Sequence, residues 1–113
     1  MSEQRIFEFE TRNEFKNFIQ TKKIVVVKFT AVWCGPCKRC KDIVDECFAH
    51  MPENVCMVIV DIDKSPDIKR YLKCTSVPTF INFVNGEMMD SLVGGNKESI
   101  VTFFKKTLIR ATS

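Results

Sequence analysis

Ile24-Val25-Val26-Val27-Lys28-Phe29-Thr30-Ala31-Val32-Trp33-Cys34-Gly35-Pro36-Cys37 is the stretch that decides how this chain folds. Residues 24–31 are a run of β-formers, too short for a typical helix and apolar on both faces. That predicts a central strand of a parallel sheet, from Ile24 to Ala31. Pro36 then sits where a first helical turn tolerates its missing N–H. Behind it Cys40, Ile43, Val44, Cys47, Phe48 and Met51 recur at helical steps. Such a stripe packs on a core, so a helix is expected from about Pro36 to Met51.

The same alternation of periods continues outward. Ile6-Phe7-Glu8-Phe9 reads as a short first strand. Thr11 and Glu14 form a capping-box pair, and Phe15, Phe18 and Ile19 give the helix behind them one apolar face. Val55 to Ile62 is a second buried strand run. Ser65-Pro66 is an N-cap followed by proline at the first helical position, with Ile68, Tyr71 and Leu72 as the inner face. Val77 to Val84 and Glu87 to Val93 flank Asn85-Gly86, a strong hairpin signal. Asn96 caps a last helix with Ile100, Phe103, Phe104, Thr107 and Leu108 on one side. The order is β-α-β-α-β-α-β-β-α. Right-handed crossovers followed by a hairpin give an α/β fold: a mixed five-stranded sheet with helices on both faces.

With 113 residues, the chain fits one domain, residues 1–113. Its 17 basic and 14 acidic residues are interleaved, leaving a net charge of +3. A nucleic-acid binder would show a basic patch or stripe, so that class fits poorly. No apolar run approaches the ~20 residues of a membrane span. The start, MSEQRIFEFE, carries charges where a signal peptide needs its apolar core, so the expected compartment is the cytosol. Reducing surroundings disfavour a disulfide framework. The six cysteines are then catalytic, metal-binding or small buried hydrophobes.

Cys34 and Cys37 lie three positions apart at a helix start. Orphan N–H groups and the helix dipole there favour a thiolate at Cys34. Cys37, one turn in, should be more buried and Cys34 more exposed. Gly35 would let another backbone approach the Cys34 sulfur. The asymmetry implies a sequence of exchanges. Cys34 attacks a partner's disulfide, and Cys37 then releases the reduced partner. A zinc site or two unrelated core cysteines are the competing readings. Zinc would normally need two more ligands; the single histidine, His50, is at the far end of the same helix, and there is no second C-x-x-C.

Over nearly its whole length the chain resembles the thioredoxin family. Trp33-Cys34-Gly35-Pro36-Cys37-Lys38 matches the family's active-site motif, and Ser76-Val77-Pro78-Thr79-Phe80 its cis-proline segment. Asn85-Gly86 matches its hairpin and Val93-Gly94-Gly95 its last loop. The resemblance implies a thioredoxin fold and a protein-disulfide reductase, with Cys34 attacking and Cys37 resolving. It implies that Pro78 is cis and lies beside the disulfide. Val77 would present its backbone to an extended substrate segment, and Trp33, Gly35, Pro36, Val77 and Gly94 would line a shallow apolar groove. No bound cofactor is implied. Reducing equivalents would come from NADPH through a thioredoxin reductase, and clients would include peroxiredoxins, ribonucleotide reductase or methionine sulfoxide reductase. Nothing demands more than a monomer. Gly-Pro between the cysteines favours a reductase over an isomerase. A non-enzymatic subunit gripping a partner through the same groove is the alternative.

Three features depart from the family pattern. Most thioredoxins carry a buried aspartate where this chain has Lys28. Either Lys28 snorkels along the sheet edge or pairs with a carboxylate such as Asp61, or its amine lies near Cys37 and modulates it. Asp42 replaces a helix-kinking proline, so the helix either runs straighter or is bent by packing alone. Cys40, Cys47 and Cys56 are expected in the core. Cys74 is either buried or a regulatory or dimerising thiol.

Overall fold

A computed structural model describes residues 5–113; the first four residues of the expected domain lie outside the described residues. Five strands and four helices alternate as expected: β1 (Ile6–Phe7), α1 (Arg12–Gln20), β2 (Ile24–Thr30), α2 (Gly35–Ala49), β3 (Val55–Asp61), α3 (Pro66–Tyr71), β4 (Thr79–Val84), β5 (Glu87–Val93) and α4 (Lys97–Ala111). The strands form one sheet in the order β1-β3-β2-β4-β5. β1 and β2 run parallel to β3, whereas β4 runs antiparallel to both β2 and β5. β2 is therefore the middle strand, with β3 and β4 as lateral neighbours.

Strand alternation divides the core into two layers. Ile24, Val26, Met57 and Phe80 face Val44 and Phe48 of α2 and Ile100, Phe103 and Phe104 of α4. Val25, Val27, Phe29, Val58 and Val60 face the other way, toward Phe15, Ile19 and Ile68. Sequence signals set the element ends. Thr11 and Glu14 form the reciprocal capping box of α1. Asn96 accepts the Ser99 N–H at 3.0 Å at the head of α4. Asn85 and Gly86 both have positive φ, 52° and 83°, as the two-residue hairpin turn requires.

Some expectations change. β1 spans only two residues, and β4 starts at Thr79 rather than Val77, because the Val77–Pro78 peptide is cis and precedes the ladder. Ser65 does not cap α3 with its side chain; Oγ donates to Phe9 O at 2.7 Å instead. Tyr71 is exposed, its ring under the Arg12 and Lys16 cations of α1, where a half-polar ring suits a wet seam. Leu108 also lies on the surface; Ala111 completes the α4 stripe after Thr107. With Asp42 in place of proline, α2 runs unbroken for 15 residues.

One polar network joins these layers. Asn82, fully buried in β4, donates to Asp90 Oδ2 and to Thr107 Oγ1, both at 3.0 Å, and accepts from the Asp90 N–H at 2.8 Å. Arg110 closes it with two bonds to the Asp90 carboxylate, at 2.6 and 3.2 Å. A buried amide costs stability unless it is satisfied, so α4 is pinned to the hairpin in a single register.

Candidate active site

β2 ends at Thr30, and the chain turns into α2 within five residues. Cys34 is the N-cap of α2, and its sulfur accepts the Cys37 N–H at 3.1 Å. The residue that begins the helix thus occupies the position where orphan N–H groups stabilise a negative atom. Pro36 falls at the second helical position, where no intrahelical bond is lost. Cys34 and Cys37 are joined as a disulfide with Cα atoms 5.3 Å apart, well within the range such a bond needs.

Three loops converge on this pair. The cis Val77–Pro78 segment brings Val77 O to 3.7 Å from Cys34 Sγ. Gly94, at φ 109°, donates its N–H to Pro78 O at 2.8 Å, so the loop before α4 is tied to the cis-proline segment. Ala31, Ile62 and Val77 pack against the two cysteines. Around them Val32, Trp33 and Val93 stand 69, 64 and 65% exposed, an unusual concentration of apolar surface. Pro36 is exposed beside them, and Gly35 is half-buried.

The structure therefore gathers Trp33, Cys34, Gly35, Pro36, Cys37, Val77, Pro78 and Gly94 at one end of the sheet. It also revises several details. Cys34 is not the more exposed thiol position: in the disulfide both cysteines are 3% exposed, because Val77 covers one side. A Cβ on Gly35 would meet only the flexible Arg39 guanidinium, at 3.1 Å, so no distant backbone of this chain packs against it. Within the chain, the backbone nearest the Cys34 sulfur from another loop is that of Val77. Pro78 is buried behind the groove rather than on its surface. Cys74 is buried, with its thiol donating to Ser76 O at 3.2 Å, which speaks against an accessible regulatory thiol. Cys40 and Cys56 are buried, and Cys47 is half-buried.

Sequence reasoning missed Asp63, whose carboxylate accepts the Trp33 indole N–H at 2.8 Å and fixes the ring over the site. The only available signal was the parallel pairing of β2 and β3, which carries their C-terminal ends to the same edge.

Lys28 lies on the middle strand and is 6% exposed. It does not snorkel along an edge, and Asp61 is engaged elsewhere, accepting the N–H groups of Asp63 and Lys64. Burial pushes the Lys28 ammonium below its ordinary range, opposed by Asp45 and then Cys40, with Lys41 adding a smaller downward push. Burial pushes the Cys40 thiol up, and Lys28 opposes it.

Comparison with known proteins fits this arrangement. The thioredoxin family model matches residues 6–106. Over 93 residues the chain is 34% identical to thioredoxin 1 of Plasmodium falciparum, covering 82% of this chain and 88% of that protein. It is 35% identical over 103 residues to thioredoxin H-type 1 of Nicotiana tabacum, covering 91 and 81%. The oxidised form of mitochondrial thioredoxin 3 from Saccharomyces cerevisiae superposes with a TM-score of 0.82 at 31% identity, covering 89% of this chain and 94% of that one. A structure from work on how a yeast mitochondrial 1-Cys peroxiredoxin is resolved by the glutathione and thioredoxin systems superposes equally well, at 0.82 and 30% identity, covering 89 and 94%. The chain belongs to the thioredoxin family. It is a thiol–disulfide oxidoreductase acting as a protein-disulfide reductase, with the Cys34–Cys37 pair as its redox-active dithiol.

Proposed function

We propose that Cys34 is the attacking sulfur and Cys37 the resolving one in the reduction of client disulfides. The Cys34 thiolate bonds to one client sulfur, the client S–S bond breaks, and the released client thiolate takes up a proton. Cys37, deprotonated, then bonds to Cys34; the Cys34–client bond breaks, and the second client thiol leaves. The disulfide in the structure is the end point of that cycle. The observation that carries these roles is the N-cap position of Cys34, whose sulfur accepts the Cys37 N–H. That interaction favours negative charge on the sulfur that must be a thiolate first and a leaving group later.

Clients dock in the groove of Trp33, Gly35, Pro36, Val77 and Gly94, which the buried Pro78 backs. Trp33 supplies an exposed apolar platform held by Asp63. Val77 precedes the β4 ladder, so its peptide groups remain outside the sheet pairing and suit an extended client segment. Peroxiredoxins, ribonucleotide reductase and methionine sulfoxide reductase are the client classes, and a thioredoxin reductase using NADPH regenerates the dithiol. The relation to the peroxiredoxin study supports the first of these. The cytosol is the proposed compartment. It is supported by four cysteines left as thiols. Among the described residues, no helix is long and apolar enough to cross a membrane.

The test uses two variants. Cys34→Ser should abolish dithiothreitol-driven insulin reduction. Cys37→Ala should retain attack but lose release, so a client such as a peroxiredoxin should accumulate as a mixed disulfide on Cys34. Insulin turnover by Cys34→Ser would overturn the assignment.

A further inference from the structure

Lys28 is a buried cation that none of these steps uses. Its lateral neighbours in the sheet are apolar, Ile59 of β3 and Phe80 of β4. Alternation along β2 puts its side chain on the face of Ile24 and Val26, which α2 covers. α2 begins where β2 ends and runs back over that face, so its first turns lie above Lys28.

The charged and titratable groups that act on Lys28 are Asp45, Cys40 and Lys41, all on α2. Asp45 already holds Lys41 at 2.6 Å, and Lys28 takes part in no ion pair among the described residues. In this layer Asp45 is thus drawn to both ammonium groups, and Asp42 adds a weaker pull on Lys41. Cys40 links the layer to the redox pair: its thiol donates to Cys37 O at 3.5 Å. The Lys28 charge is felt at Cys40, one turn below Cys37.

We propose that Lys28 is a positioning residue for the exchange reaction: its buried charge, acting through the first turns of α2, stabilises the thiolate formed there on reduction. Stabilising the reduced form makes a dithiol a weaker reductant and a stronger oxidant. Lys28 acts without touching the client or the reacting sulfurs. It sets the balance between dithiol and disulfide. The inference rests on the oxidoreductase activity described above.

The experiment compares the parent, Lys28→Met, Lys28→Gln and Asp45→Asn. Each is equilibrated with reduced and oxidised glutathione, and its active-site thiol pKa is followed by thiolate absorbance. For Lys28→Met and Lys28→Gln the pKa should rise by about half a unit or more, and the equilibrium should move about threefold or more toward the protein disulfide. Asp45→Asn removes the carboxylate that supports the Lys28 ammonium against burial and should shift both quantities away from the parent. A merely structural role for Lys28 would change the melting temperature and leave both quantities in place. Parent-like values in folded Lys28 variants would overturn the inference. If neither Lys28 variant folds, a parent-like Asp45→Asn overturns it as well. Insulin turnover by the parent, run alongside, separates the two levels. An inactive parent strikes the oxidoreductase reading and the inference with it; an active parent with unshifted variants strikes the inference alone.

Discussion

Cys34 has two roles that depend on one position. As the N-cap of α2 it starts the helix, and as a sulfur among unpaired N–H groups it is disposed to carry charge. Both roles were legible in the sequence, since C-G-P-C after a strand run marks a strand-to-helix junction. Asn82 is the opposite case. In the sequence Thr79-Phe80-Ile81-Asn82-Phe83-Val84 it reads as a polar interruption of a buried strand, with nothing nearby to say what satisfies it. Its partners, Asp90 and Thr107, come from other elements. Asn82→Ala should cost about 2–4 kcal/mol, because it opens a small void and leaves Asp90 N–H and Thr107 with unmet bonds. Urea titration would check this, and a loss below about 0.5 kcal/mol would mean that the network is dispensable.

At the scale of the element, the hairpin gives the sharpest local test. Gly86 has φ 83°, and a Cβ there would stand 2.9 Å from the Gln20 amide of α1. The Gln20 side chain can move, but the backbone conformation cannot be had cheaply by an L-residue. Gly86→Ala should therefore destabilise by about 1–2 kcal/mol. The effect should appear in thermal melts, with the glutathione equilibrium unchanged because the turn lies at the end of β4 away from Cys34. α2 illustrates the other direction of inference. Its stripe predicted the buried positions Cys40, Val44 and Phe48 correctly. Its partner Lys28 was ambiguous, because the strand run alone does not say whether a lysine within it is sealed or reaches the surface.

For the whole molecule, the network around Asp90 makes stability depend on acid. The Arg110 bonds hold the Asp90 carboxyl below its ordinary range, with Asn82 contributing, while burial opposes them. A carboxyl whose folded pKa is depressed stabilises the fold fully above its unfolded pKa, about 3.9. That contribution is lost as pH falls below this value and through the lower folded pKa. The parent should therefore lose stability between about pH 5 and pH 2 more steeply than Asp90→Asn, which has no proton to take up there. Urea midpoints across that range would show it; parallel curves would mean that the Arg110 pairing does not survive in solution.

The sequence by itself determined the element order, the caps and turn of α1, α4 and the hairpin, and the redox pair at the head of α2. Each of these depends on residues a few positions apart. Only the tertiary structure decided that Lys28 is sealed beneath α2, that Val77 covers Cys34, and that Asp63 holds Trp33. Those facts depend on which distant segments become neighbours. Hydrophobic patterning shows that a strand is buried without saying by what, and side-chain partners across the sheet are settled by register and packing.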